Sequence, residues 1–237
     1  GKFGVRVWHR DFFDAEIVEC RDPSVVGKSF GQVGVDRGGL HPVDAFLDLV
    51  LEHGTTIRWR TTISNHRPEV LKKLACDPGV QMGFSDAGAH LRNMAFYNFG
   101  LRLLRHVLDA QKAGQAFMTV EQAVYRLTGE LADWYQIDAG HLRIGDRADL
   151  FVIDPERLDN TLTAYAEHAV DAYGGLSRMV NRNDATVSVV LIGGETVVLN
   201  GKPTDILGTQ RTGVFLRATQ GAAAVVPGRV RTASADC

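Results

Sequence analysis

The chain has 237 residues, of which 45% are hydrophobic and 23% charged, and its formal net charge is −2. That length allows one large domain or two modest ones, and the composition is ordinary for a globular protein rather than a disordered or fibrous one. The near-neutral charge gives no electrostatic case for nucleic acid or an anionic membrane as partner, and no apolar run reaches the roughly 18 residues a membrane span needs.

The start, Gly1-Lys2-Phe3-Gly4-Val5, has neither a basic stretch nor a long apolar core, so it is not expected to be a signal peptide. It carries no initiator Met, and the chain is expected to begin partway through a longer product. Cys20, Cys76 and Cys237 are far apart and form no CxxC pair. Their odd number argues against a disulfide framework, and a reducing cytoplasm is the expected setting.

In chain order, Val5 to Trp8 and Glu16 to Glu19 are predicted as short extended segments. Pro42 opens a helix in which Val43, Phe46, Leu47, Val50 and Leu51 recur at helical spacing, with His41 as its cap and Gly54 as its stop. Thr55 to Arg60 is predicted as a strand. Pro68 starts a helix through about Ala75, punctuated by Pro78-Gly79. Val80 to Phe84 is a short apolar run expected to be a strand. The alternation of strand and helix is what parallel α/β folds produce.

The pattern then turns helical. Phe96 to about Ala113 is amphipathic, with Leu101, Leu104, Val107 and Leu108 on one side. Thr119 and Gln122 fit a capping box, and Thr128 is expected to cap a second helix through about Tyr135. Leu150 to Ile153 is a predicted strand. Val187 to Ile192 and Glu195 to Leu199 form a predicted hairpin around Gly193-Gly194, and Asn200-Gly201 signals a further turn. From Gln220 the chain is small and polar, and a flexible tail is expected. Trp8, Trp59 and Trp134 are expected to pack in or near the core.

Asp86 stands just past the apolar run, in Ser85-Asp86-Ala87-Gly88-Ala89-His90. The edge beyond a strand's C-terminal end is where α/β folds build active sites. The small neighbours leave space beside the carboxylate, which can exchange a proton with water and a leaving group. The local pattern also fits an Asp that only caps a helix or fixes a turn. His90 can bond a substrate or serve structure. Arg92 is the best nearby anion partner, with Asn93, Tyr97 and Asn98 as further polar candidates or as packing for the next helix. His66 could face the same rim or sit on a loop. No His-x-His occurs, and no two histidines stand at i, i+4. There is no GxSxG, Walker or GxGxxG motif.

Ser85 to His90 resembles the last-strand motif of the amidohydrolase superfamily. Leu127-Thr128-Gly129-Glu130-Leu131-Ala132, followed by Ile144-Gly145-Asp146-Arg147-Ala148-Asp149-Leu150-Phe151-Val152-Ile153-Asp154-Pro155, is similar to that superfamily's return from barrel to small β domain. Val187 to Gly201 is similar to its closing pair of strands. Gly27-Lys28-Ser29 and Pro42 to Leu49 resemble the N-acyl-D-amino-acid deacylase (D-aminoacylase) branch. The resemblance implies an α/β fold, the C-terminal part of a (β/α)8 TIM-type barrel plus a small β-sandwich segment. It implies hydrolysis of an amide C–N bond, with one or two metals, usually Zn2+, at the barrel rim. Asp86 would then be both a metal ligand and the general base and acid acting on a metal-bound water, and Ser85, Gly88, His90 and Arg92 would bind substrate.

The first-strand His-x-His of the superfamily has no counterpart here. Only 85 residues precede Asp86, whereas a full barrel takes about 250. The expected organisation is therefore 1–140 as the last barrel units and following helices, 141–219 as part of a small β domain, and 220–237 as a tail. The expected activity is that of an N-acyl-amino-acid deacylase-like amidohydrolase, inactive as this chain alone. The alternatives are an enzyme for a cyclic amide or ureide, of the dihydropyrimidinase or dihydroorotase kind, and a non-catalytic barrel remnant that binds a partner. The expected partner is a small-molecule amide, with no nucleic acid and no membrane, and with a homo-oligomer left open. D-aminoacylases tend to place His-Pro-Arg after the aspartate. Arg92-Asn93-Met94 is the nearest counterpart, in a different register.

Overall fold

The computed structural model describes residues 12–61, 65, 67–83 and 97–218. The chain divides into two compact units, Gly1–Lys72 and Lys73–Cys237. Val5 to Trp8 and the tail from Gln220 lie outside the described residues.

In the first unit β1 (Glu16–Glu19) is followed by α1 (Phe30–Asp36), α2 (Pro42–His53), a short 3-10 turn at Gly54–Thr56 and β2 (Arg58–Arg60). The expected cap of α2 is present: His41 Nδ1 accepts the Val43 amide at 3.3 Å. Helix α1 has no apolar stripe long enough to announce it, and two glycines weaken it. Ser29 and Gln32 fix it instead, through a reciprocal capping box with bonds of 3.1 and 2.9 Å. Its glycines serve packing. A Cβ on Gly31 would stand 2.8 Å from the Phe13 carbonyl oxygen, and one on Gly34 would run into that of Leu40.

The strands β1 and β2 run antiparallel, Ile17 facing Trp59, with a bulge before Glu19. This corrects the expectation of parallel pairing in this stretch. The Arg60–Glu16 and Arg58–Glu19 ion pairs, at 2.7 and 3.1 Å, join opposed positions of the ladder. The predicted strand from Thr55 is also shortened, because Gly54–Thr56 is spent on the 3-10 turn that ends α2. The core gathers Ala15, Ile17, Val25, Phe30, Val33, Ala45, Leu49 and Ile57. Phe30 is fully buried, with Phe46 edge-on at 5.3 Å between ring centres and Trp59 at 5.9 Å.

Helix α3 (Pro68–Cys76) leads into the second unit. There α4 (Phe99–Lys112), α5 (Val120–Leu127) and α6 (Gly129–Tyr135) precede a β-rich part. Leu104, Val107 and Ala110 form the buried stripe of α4. Leu104 and Val107 pack with Ala75, Met118 and Ala123, and Ile153 and Leu158 close the cluster from the β side. The Thr119–Gln122 capping box forms as the sequence predicts. Thr128 stands at the N-cap position of α6 as expected, but its side chain makes no capping bond, because its hydroxyl donates back to the Val124 carbonyl at 2.7 Å. Trp134 is 63% exposed, which corrects its expected burial; its ring meets Tyr135 edge-on.

Five further strands follow, β3 (Leu150–Ile153), β4 (Ala166–Val170), β5 (Leu176–Val180), β6 (Val187–Ile192) and β7 (Glu195–Leu199), then the two-residue β8 (Lys202–Pro203). They form an antiparallel sheet in the order β3-β6-β7-β8 and a separate β4–β5 hairpin. Gly193 and Gly194 turn β6 into β7 with φ of 60° and 88°. At Gly201 a side chain is excluded twice over, since φ is +71° and a Cβ would lie 2.7 Å from the Asp184 carbonyl oxygen. The result is a mixed architecture of helices and antiparallel sheets, and no parallel ladder joins named strands among the described residues.

Candidate functional site

The five residues that the sequence singles out, Ser85, Asp86, Gly88, His90 and Arg92, lie outside the described residues, as do His66 and Asn93. The structure describes both flanks of the segment that carries them. Both belong to the second unit.

On the entry side, residues 80–83 form no strand, contrary to expectation, and Phe84 is outside the described residues. The backbone there is committed elsewhere. The Val80 amide closes a turn on the Asp77 carbonyl at 3.0 Å, and the Gly79 amide donates to Asp77 Oδ1 at 2.8 Å. The Arg126 guanidinium then donates to the carbonyls of both Asp77 (3.0 Å) and Val80. Arg126 is only 8% exposed and belongs to α5. It ties the turn after α3 to the helix that follows α4. Cys76 adds a second tie, its thiol donating to the Phe117 carbonyl at 3.3 Å. Met82 packs against the helical core just before the segment.

On the exit side, Tyr97 and Asn98 are fixed to the β-rich part. The Tyr97 hydroxyl donates to the Met179 carbonyl at 3.1 Å, and the Arg178 guanidinium lies over the Tyr97 ring at 5.2 Å. Asn98 Nδ2 donates to the Leu162 carbonyl at 3.0 Å and to Asn183 Oδ1 at 2.8 Å. Asn98 therefore precedes α4 without capping it with its side chain. Asn181 approaches the same carbonyl, its Nδ2 donating to Leu162 at 3.2 Å and to the Ala164 carbonyl. Tyr97 and Asn98, candidates for substrate recognition in the sequence, thus anchor the end of the segment.

Sequence reasoning missed Arg126, Arg178, Asn181 and Asn183. An Arg on an amphipathic helix and an Asn after a strand look like solvated positions, and no spacing rule separates them from such positions. Among the described residues the histidines do not gather into a metal-binding group. His41 caps α2, and His141 Nε2 pairs with Asp133 at 2.8 Å. Tyr125 donates to the other oxygen of Asp133 at 3.3 Å, and burial and then the Asp133 charge raise its pKa. Burial lowers that of Arg102, with the charge of Arg105 adding to it. Among the described residues no group of three or more His, Cys, Asp or Glu side chains could hold a metal ion. No helix among them is long and apolar enough to cross a membrane.

No family model matches the chain. Uncharacterized proteins of Mycobacterium tuberculosis (strain ATCC 25618 / H37Rv) and Mycobacterium bovis are each 62% identical to it over 201 residues, 84% of this chain. The chain spans about a third of the length of these curated relatives, 33% in each case. Solved structures of D-aminoacylase, one described as defining a novel subset of amidohydrolases and another for its binuclear metal center, cover 86% of this chain and 37% of their own. They are 20% identical to it, with a TM-score of 0.45. At that level the likeness carries no argument about activity.

Proposed function

We propose that this chain is part of an amidohydrolase that cleaves an amide C–N bond, most like an N-acyl-amino-acid deacylase, with Asp86 moving the proton. The observation that carries the proposal is the order of the sequence motifs: Ser85 to His90, then Leu127 to Ala132, Ile144 to Pro155 and Val187 to Gly201. Their local architecture is compatible with it, since Leu150–Ile153 is a strand and Val187–Leu199 a tight hairpin paired to it. In the same proposal residues 1–140 are the end of a barrel, 141–219 part of a small β domain and 220–237 a tail.

In this reading Asp86 accepts a proton from the attacking water and delivers it to the leaving nitrogen, work for which a carboxylate is suited. Ser85, Gly88, His90 and Arg92 surround the substrate, Arg92 facing its anionic end. Zn2+ belongs to the resemblance. The described residues supply no ligand set for it. Arg126 on one flank and Tyr97 with Asn98 on the other hold the ends of the segment, and such support from neighbouring side chains is what precise positioning of a reactive group requires.

The test is a substrate panel on a polypeptide of the length of the mycobacterial relatives: N-acyl-D-amino acids, N-acyl-L-amino acids and cyclic ureides. Release of a free amino acid from an N-acyl substrate supports the reading. Turnover of the ureides alone would move the assignment to the cyclic-amide class, and no turnover of any of the three would remove it.

A further inference from the structure

Helix α2 carries more apolar surface than its own unit covers. Ala45 and Leu49 are fully buried, and with Pro42 they form the face turned to the core. Val43, Leu47 and Leu51 stand at i, i+4 and i+8 and so share a different face. That face is open: Val43 is 38% exposed, Leu47 50% and Leu51 84%. Phe46 and Val50, packed on the margin of the core, join the two faces into one wide apolar band. Single exposed leucines are ordinary, whereas three apolar side chains aligned along a helix make a ridge of the kind that packs into the groove of a neighbouring helix.

Charge and length specify what covers the ridge. Asp44, Asp48 and Glu52 repeat its spacing one position on and border it with an acidic row, and Arg37 of α1 pairs with Glu52 at the end of that row, at 2.7 Å. A second copy of the chain fits poorly. Two such ridges packed antiparallel about a twofold axis would set the acidic rows side by side, and packed parallel they would lay each acidic row against apolar side chains. A third source is at hand. The chain spans 33% of the mycobacterial relatives it matches, so most of a polypeptide of that length lies outside it.

We propose that the ridge of Val43, Leu47 and Leu51 is an intramolecular docking face. In a polypeptide of the relatives' length it is covered by an amphipathic helix from the part outside this chain, apolar along its centre and basic on the flank that meets Asp44 and Asp48. The docking face rests on the exposure and charge of α2 and stands whatever reaction the protein catalyses.

The experiment compares Leu51→Cys in two polypeptides, the 237-residue chain and one of the relatives' length. N-ethylmaleimide labelling at position 51 is followed by mass spectrometry of the peptides. The expected result is fast labelling in the shorter polypeptide and labelling at least about tenfold slower in the longer one, because there the covering helix must open first. The slow rate should not change on dilution, and Leu47→Cys should behave the same way. Adding Asp44→Lys to the longer polypeptide sets like charges together and should raise its rate about threefold or more. Equal rates in the two polypeptides would overturn the docking face. Protection that disappears on dilution would assign the cover to a second copy and overturn the intramolecular helix, and a rate that Asp44→Lys leaves unchanged would overturn its basic flank.

Discussion

The carboxylate of Asp149 accepts the backbone N–H of Gly193 at 2.6 Å, joining the start of β3 to the turn between β6 and β7. Ala148 completes the tie by accepting the Gly194 amide at 3.0 Å. Asp149 and Gly193 are 44 positions apart, and the two stretches that resemble amidohydrolase motifs are thus one structural unit. The Asp in Ala148-Asp149-Leu150 serves the hairpin turn, with Arg147 bound to its other oxygen.

Asp149 gives the fold a pH dependence of defined sign. Its hydrogen bond from Arg147 is the largest cause of a pKa below the usual carboxylate range; partial burial opposes it, and the Gly193 N–H and the Arg147 charge act with it. A depressed folded-state pKa means stability that is present above the unfolded value of about 4 and is lost as pH falls through the lower folded value. Urea midpoints of the chain should drop as pH falls below about 4, and Asp149→Asn should flatten part of that drop. An unchanged acid slope in the variant would show that Asp149 does not contribute.

Asn98→Ala should lower the unfolding free energy by about 1–3 kcal/mol, because it removes a bond to the Leu162 carbonyl and leaves Asn183 Oδ1 short of a donor. Chemical denaturation measures the loss. A double-mutant cycle with Asn183→Ala should show a combined effect smaller than the sum, whereas strict additivity would mean that the two side chains do not interact.

Among the described residues of the first unit Phe30 is the largest fully buried side chain, and it meets Phe12, Phe46 and Trp59. Phe30→Ala should cost about 3–5 kcal/mol, and Phe30→Leu clearly less. Thermal unfolding of the two variants orders them. Equal melting temperatures would contradict the packing described for this core.

Much of the local structure was legible in the sequence because local rules dictate it. Pro42 and His41 set the start of α2, Thr119 and Gln122 that of α5, and Gly193-Gly194 the closing hairpin. What the sequence hid depends on partners distant in the chain. Helix α1 tolerates Gly31 and Gly34 because the backbone of Phe13 and Leu40 approaches them closely. Strand β4, Ala-Glu-His-Ala-Val, has weak strand propensity and exists through its pairing with β5. Val80 to Met82 look like a strand by composition, yet their neighbourhood offers Arg126 rather than a ladder. At the candidate site, Asp86 stood out by its small neighbours and motif. Arg178 and Asn181 did not, since the groups they meet, the Tyr97 ring and the Leu162 carbonyl, lie far from them in the chain.

The central claim is that Asp86 carries the proton in amide hydrolysis. Its most direct test is the turnover of an N-acyl amino acid by a polypeptide of the relatives' length, compared between the parent and Asp86→Asn. Loss of a positioned acid and base should lower kcat by about 10²–10⁴-fold, with the circular dichroism spectrum and melting temperature unchanged. A variant that retains near-parental kcat would contradict the account.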